Sequence, residues 1–129
     1  MHEQLQAFET EKRQNIEALE ADAELKQLAL DFMRETGKHK CTYNFTWLGL
    51  PIIQFPQDLQ AIQEIIWSVK PDVIIETGIA HGGGLVFYAS MLELLGGDGQ
   101  VVGVDIDIRA HNRARVESHS AGATHSDVT

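Results

Sequence analysis

A glycine-rich stretch, ETGIAHGGG at residues 76–84, carries the residues best suited to chemistry in this sequence. Gly78 allows the chain to turn sharply and lets a ligand approach the backbone closely, because glycine has no Cβ. Gly82 and Gly83 precede a predicted helix, whose first N–H groups are unpaired and attract anionic groups. The stretch therefore predicts a loop that binds a nucleotide-like cofactor.

The spacing of the glycines distinguishes between cofactors. A dinucleotide fingerprint has the pattern G-x-G-x-x-G, whereas Gly78 and Gly82 are four residues apart and Ala80 takes the place of the middle glycine. Glu76, just before the first glycine, would repel a pyrophosphate but suits the ammonium group of S-adenosylmethionine. The spacing therefore favours that cofactor over a nicotinamide dinucleotide. His81 either contacts the cofactor's carboxylate or only fills the loop.

A second carboxylate, Asp105, follows the next predicted strand. At that position it can accept hydrogen bonds from both ribose hydroxyls of a bound nucleoside. The alternative is that Asp105 caps a helix or a turn. Asp107 lies past the strand and is the weaker candidate.

The elements that position these residues follow from the apolar pattern. Short β-branched runs at 73–75 and 101–104 are typical of strands buried on both faces, and a helix is predicted over 85–95 between them. Another helix is predicted over 110–119. This order predicts a βαβ unit with parallel strands. The candidate residues then lie at the carboxyl ends of the strands, where open α/β sheets bind ligands.

The chain before this unit is predicted to be largely helical. Residues 3–36 have helical periodicity, and Gly37 suits the end of that helix. Its charge-rich part at 9–24 is either a separate exposed helix or one that docks on a partner. One face of the helix is predicted to be buried: Leu25, Leu28, Ala29, Phe32 and Met33.

Residues 38–56 read as irregular, and a further helix follows Pro56 and stops at Lys70 and Pro71. The apolar face of that helix is predicted to comprise Leu59, Ile62, Ile65, Ile66 and Val69.

We therefore predict an α/β fold with three segments. These are a helical segment at 1–37, the N-terminal half of a Rossmann-like domain that binds S-adenosylmethionine at 38–119, and an unstructured tail at 120–129. Two parallel strands alone make an unstable sheet. The chain is therefore predicted to be a truncated domain or to have its sheet completed by other chains, and a homo-oligomer is expected.

Composition excludes several classes of function. The formal net charge of −9 disfavours binding to nucleic acid, which requires clustered Lys and Arg. The single cysteine, Cys41, permits no internal disulfide. We find neither a secretory signal nor a transmembrane segment, and a cytoplasmic location is expected.

Four linked motifs resemble the cephalosporin hydroxylase / rhamnosyl O-methyltransferase family. They are YNFTWLG at 43–49, PIIQFPQD at 51–58, KPDVIIETGIAHGG at 70–83 and GVDIDIR at 103–109. The resemblance implies a Rossmann-like fold, S-adenosylmethionine and O-methylation of a small-molecule, glycan or glycolipid hydroxyl. It implies that Asp105 binds the ribose and that the cofactor loop comprises Glu76, Gly78, Ala80, His81, Gly82 and Gly83.

The resemblance also implies Mg²⁺ in full-length members, but the acidic ligands lie beyond the second strand and are not expected in this chain, where catalytic residues stay unassigned. An iron site with two histidines and one carboxylate is not expected, because the only H-x-D sequence is His125-Ser126-Asp127 in the polar tail. Two alternatives stay open: a truncated non-catalytic paralogue or interaction module, and an NAD-dependent oxidoreductase with an atypical loop.

Overall fold

The structure, a computed structural model, describes residues 2–119. The chain forms two compact units, Met1–His39 and Lys40–Thr129. The predicted tail at 120–129, with His125-Ser126-Asp127, lies outside the described residues. The helices and strands are α1 (His2–Ala21), α2 (Ala23–Gly37), a 3₁₀ helix (Cys41–Asn44), β1 (Thr46–Trp47), β2 (Leu50–Pro51), α3 (Pro56–Val69), β3 (Val73–Thr77), α4 (Gly83–Leu95), β4 (Gln100–Val104) and α5 (Ala110–Glu117).

The N-terminal unit contains two helices within the segment at 3–36 that was predicted to be helical. The break falls at Asp22, whose backbone is extended and whose carboxylate accepts a hydrogen bond of 2.9 Å from the backbone N–H of Leu25. This is an N-cap, which satisfies one of the unpaired donors in the first turn of α2. The charge-rich first part of the segment is thus a separate helix, and its described residues are exposed.

The prediction of a buried face on α2 is wrong for the described residues. Leu28 is 64% exposed and Phe32 is 53% exposed, and Leu25 and Met33 are also exposed. An amphipathic period shows that a helix has an apolar side, but it does not supply a surface that covers that side. Within this unit α2 packs only against α1, which is too narrow to cover the stripe.

The C-terminal unit confirms the predicted α/β class and the βαβ order. β3 and β4 pair in parallel, from Val73 opposite Gln100 to Thr77 opposite Val104, and α4 connects them. α4 is the centre of this unit because it packs against both strands and against α3, α5 and the β1–β2 hairpin. Its buried apolar side chains are Leu85, Val86, Phe87 and Leu92.

The prediction that the strands are buried on both faces is wrong for the part of the chain that the structure describes. In β3 the side chains alternate, so that Ile74 is half-buried while Val73 is 51% exposed and Ile75 is 66% exposed. α4 covers one face of the sheet. A β-branched run predicts a strand, but burial of its second face depends on what packs there.

Residues 38–56 are more ordered than predicted. β1 and β2 form a short antiparallel hairpin, and its two turn residues, Leu48 and Gly49, both have positive φ angles, of 47° and 88°. Such a turn matches the twist of the flanking strands. The hairpin packs on α4: Trp47 meets the ring of Phe87 edge-on at 4.9 Å and donates a hydrogen bond of 2.8 Å to Ser90 Oγ.

The predicted apolar face of α3 is only partly correct. Ile66 is buried, and Leu59 and Ile62 are half-buried. Ile65 and Val69, which were predicted to share that face, are exposed. α3 has a small contact with α4, so that only the residues at that contact are shielded from solvent.

Candidate functional site

The site lies at the carboxyl edge of β3 and β4. The last pair of the ladder joins Thr77 to Val104, and the N–H of Gly78 donates a further hydrogen bond of 2.8 Å to the carbonyl of Val104. The chain then turns away at Gly78, where φ is +85°. Glycine is favoured at this φ angle because the Cβ of any other residue would make the conformation unfavourable. The two strands thereby bring the predicted loop beside Asp105.

Asp105 holds this loop by its carboxylate. Its Oδ2 accepts hydrogen bonds from the N–H groups of Ile79 at 2.7 Å and Ala80 at 3.4 Å. Its Oδ1 accepts one from the N–H of Asp107 at 3.1 Å, as in an Asx turn. The bonds from the backbone of Asp107 and of Ile79 lower the pKa of Asp105, so that it is ionised at neutral pH.

These bonds bear on the predicted role of Asp105. An ionised carboxylate offers about four lone-pair sites, and the loop and the Asx turn use most of them. The alternative interpretation, that Asp105 stabilises a turn, is therefore correct in part. The hydrogen bonds from Asp105 to a ribose stay a prediction, and Oδ1 has room for about one further donor.

Asn112 is a site residue that the sequence analysis missed. It lies on α5, is 6% exposed, and its Nδ2 donates a hydrogen bond of 2.8 Å to the carbonyl of Ala80. Ala80 itself has a φ of +50°. The available signal was the spacing of Asn112 and Val116, four residues apart, because both buried positions of α5 fall on that one face.

Glu76 is half-buried beside the loop, and one of its carboxyl oxygens, Oε2, is buried with no hydrogen-bond partner among the described residues. Burial raises the pKa of Glu76 to about 7, because the charged form loses its hydration. The pKa of Tyr88 on α4 is also raised, first by its own burial and then by the negative charge of Glu76. At neutral pH Glu76 is thus divided between its neutral and ionised forms.

Packing explains three of the loop glycines. A Cβ on Gly82 would collide with Val116, one on Gly83 with the carbonyl of Pro51, and one on Gly84 with the carboxyl of Glu76. Gly78 differs, because no described atom lies within 4 Å of the position its Cβ would occupy. Gly78 is therefore the loop glycine whose open side leaves room for a ligand.

A cleft of about 60 Å³ lies between the hairpin and the loop. Of the predicted cofactor residues it is lined by Glu76, Gly78, Ala80 and Gly83. His81, Gly82 and Asp105 are not part of its lining. Pockets that enclose a ligand measure roughly 300–1,000 Å³, so the cleft can receive one end of a cofactor but not the whole molecule.

Between residues 2 and 119, no three side chains of His, Cys, Asp or Glu come close enough together to hold a metal ion. None of the helices described over the same residues combines the length and the apolar character needed to span a membrane.

Comparison with known proteins identifies the family. The family described as Rhamnosyl O-methyltransferase/CmcI matches residues 39–126, which is more than half of the chain. The chain belongs to this family, and the resemblance carried by the four sequence motifs is confirmed.

Individual relatives match over shorter stretches. A protein of Mycobacterium leprae (strain TN), named Rhamnosyl O-methyltransferase, is 33% identical over 61 residues, which are 47% of this chain and 27% of that protein. Two solved structures are 28% identical and cover 54% of this chain. One, described as "cmcI-N160 SAH", has a TM-score of 0.47 and is covered to 39%. The other, "CmcI-N160 apo-structure", has a TM-score of 0.49 and is covered to 32%. The chain thus spans less than half the length of each.

Proposed function

We propose that the carboxyl edge of β3 and β4 binds S-adenosylmethionine, and that the chain contributes the cofactor-binding part of an O-methyltransferase. Membership of the family supports this function. The observation that carries the proposal is a buried carboxyl, Glu76, whose Oε2 lacks a partner among the described residues and which lines a cleft beside the open side of Gly78. An unpaired buried carboxyl is unfavourable unless a ligand completes it.

The aminoacyl end of the cofactor fits these residues. Its ammonium group would pair with Glu76 and favour the ionised form of that carboxyl. The open side of Gly78 allows the ligand to lie against the backbone, with Ala80 and Gly83 at the cleft. Asp105 would accept one ribose hydroxyl with its remaining capacity, while His81 and Gly82 would contribute from the loop and the helix N-terminus.

The bound cofactor would supply an electrophilic methyl group on its sulfonium. The residues of this chain would hold the cofactor at both ends and fix the direction in which that group points. Such alignment lowers a reaction barrier by up to about 7–11 kcal/mol. We assign no general base to the described residues, and they offer no ligand set for Mg²⁺.

The acceptor is proposed to be a hydroxyl group. The name of the Mycobacterium leprae relative supports a rhamnosyl hydroxyl, and hence a glycan or glycolipid. In its broader form, the proposal includes any other small molecule with a hydroxyl group as the acceptor.

A second candidate, an interaction module without catalysis, has one observation in its favour. The apolar side chains along α2 are exposed, and exposed apolar stripes mark surfaces that bind other proteins. A homo-oligomer would cover this stripe. Light scattering tests this candidate: self-association, together with no binding of S-adenosylmethionine, would favour it over the first proposal.

Titration calorimetry tests the first proposal. The full chain is titrated with S-adenosylhomocysteine, S-adenosylmethionine and NAD⁺ in separate experiments. We expect both sulfur cofactors to bind and NAD⁺ to bind far more weakly, because Glu76 repels a pyrophosphate. Tighter binding of NAD⁺, or no binding of either sulfur cofactor, would overturn the proposal.

A further inference from the structure

The peptide unit around Ala80 is held from two sides. Its N–H group donates to Oδ2 of Asp105 at the end of β4, and its carbonyl accepts from Nδ2 of Asn112 on α5. These two residues come from different elements that follow the loop in the chain. Later parts of the sequence therefore help to fix the loop, in addition to the hydrogen bond of 2.9 Å that the N–H of Gly82 donates to the carbonyl of Ile79.

Ala80 needs this support because of its backbone conformation. Its φ of +50° lies in the left-handed region, which residues with a Cβ rarely occupy. Such a conformation persists only where its surroundings impose it. Among the described residues, the amide of Asn112 donates a hydrogen bond to the carbonyl of Ala80.

Asn112 is buried for this contact. It is 6% exposed and is the only polar residue among the described side chains that is as buried as the core. Its neighbour on the same face, Val116, packs with Ile79 and Leu85 in the apolar core. An apolar residue at position 112 would serve packing equally well, whereas an amide there leaves a donor that must be satisfied.

We propose that Asn112 is a positioning residue for the cofactor loop: it fixes the carbonyl of Ala80, and through it the path of the chain between Gly78 and Gly82. This inference rests on the proposed function. Asn112 need not touch the cofactor. Asn112 affects affinity by keeping the loop in the conformation that binds the cofactor. Without this contact, the loop would adopt several conformations.

Two substitutions remove the donor while keeping the size of the side chain. Asn112→Asp places an acceptor against the carbonyl of Ala80, and Asn112→Leu is apolar and of similar shape. Leu92→Ala is the control, because it removes buried side-chain volume from the far end of α4, beside Gly99 and away from the loop.

Three quantities are measured on the full chain: the midpoint of thermal unfolding, the dissociation constant of S-adenosylhomocysteine, and hydrogen exchange of the amides at 79–82. Both Asn112 variants are expected to weaken binding roughly ten-fold, as the loss of one hydrogen bond does. They are also expected to speed exchange in the loop. Leu92→Ala is expected to lower the midpoint while the dissociation constant changes by less than about two-fold.

Failure of this inference is distinct from failure of the proposed function. If the unsubstituted chain binds and the Asn112 variants bind equally well, or if Leu92→Ala weakens binding as much as they do, the role of Asn112 is overturned and the proposed function stands. If the unsubstituted chain binds no S-adenosylhomocysteine, the proposed function falls, and the role of Asn112 falls with it. Should Asn112→Asp fail to fold, Asn112→Leu decides.

Discussion

The carboxyl group of Glu76 lies against Gly84, in the space that a Cβ on that glycine would occupy. Glu76 lies within β3, and its side chain points towards the first turn of α4. The absence of a side chain at Gly84 is what makes room for the carboxyl, and burial there raises its pKa to about 7. The two residues together create a titratable group inside the proposed binding site.

The buried carboxyl predicts that stability depends on pH through Glu76. Its pKa is about 7 in the folded chain, against 4.5 as the ordinary value. The folded state therefore binds the proton more tightly, and stability falls as the pH rises from 4.5 to 7 and is then constant. Glu76→Gln removes this loss. At pH values above 7, the free energy of unfolding of the variant is therefore expected to exceed that of the unsubstituted chain by up to about 3 kcal/mol.

Urea unfolding between pH 4 and pH 8 measures this difference. Glu93→Gln, an exposed substitution on α4, is the control and is expected to follow the unsubstituted chain. A constant difference between Glu76→Gln and the unsubstituted chain at all these pH values would contradict the prediction.

The same group predicts a pH dependence of cofactor binding. A cationic ligand requires ionised Glu76, so below pH 7 the affinity for S-adenosylmethionine is expected to fall by up to about ten-fold per pH unit. In Glu76→Gln the affinity is expected to be weak and nearly flat over the same range. Calorimetry between pH 5.5 and 7.5 checks this; a flat profile in the unsubstituted chain would remove Glu76 from the ammonium site.

Gly78→Val tests whether the open side of the loop receives the cofactor. The new side chain meets no described atom but fills the space outside the turn, so we expect binding of S-adenosylhomocysteine to be lost. Gly96→Val is the matched control, because Gly96 also has a positive φ and open space, at the other end of α4. Both variants carry similar backbone strain, and only the first is expected to lose affinity. Equal affinities would refute the assignment.

Gly83→Ala tests the packing between α4 and the hairpin. A Cβ at this position lies against the backbone of Pro51 and Ile52, which cannot rotate away. We expect a loss of about 1–3 kcal/mol in the free energy of unfolding, as for other overpacked sites. Gly37→Ala, with open space around its Cβ, is expected to lose nothing. Denaturant unfolding compares the two, and equal stabilities would argue against a tight contact at Gly83.

Asp105→Ala tests the carboxylate that holds the loop. It removes the acceptor for the N–H groups of Ile79 and Ala80 and the predicted acceptor for the ribose. We expect the dissociation constant of S-adenosylhomocysteine to rise roughly ten- to a hundred-fold. Asp107→Ala is the control, since that exposed side chain only pairs with Arg109 at 3.9 Å. An unchanged constant for Asp105→Ala would remove Asp105 from the site.

Local patterns were sufficient to predict most of the elements of the C-terminal unit. β-branched runs marked β3 and β4, helical spacing marked α3, α4 and α5, and glycines marked the loop between them. These signals depend on residues within a few positions of each other, so they are present in the sequence itself. The hairpin of β1 and β2 was missed because its strands have two residues each, too few to show alternation.

The predicted site residues were brought together only in part. Glu76, Gly78, Ala80 and Gly83 line one cleft, whereas Asp105 acts first on the backbone of the loop. No spacing rule indicated that the acceptor at a strand end would bond to N–H groups of the preceding loop. The part played by Asn112 was also hidden, because a single polar residue in a short helix gives no sign of where its amide points.

The sequence by itself determined the positions and order of α3, α4, α5, β3 and β4, the position of the glycine turn and the family to which the chain belongs. The tertiary structure decided which apolar faces are covered, why Gly82, Gly83 and Gly84 lack side chains, and that the carboxyl of Glu76 is buried with a raised pKa. The physical reason is the range of the forces. Backbone conformation responds to near neighbours in the chain, whereas burial, desolvation and steric fit depend on residues that folding brings from far along it.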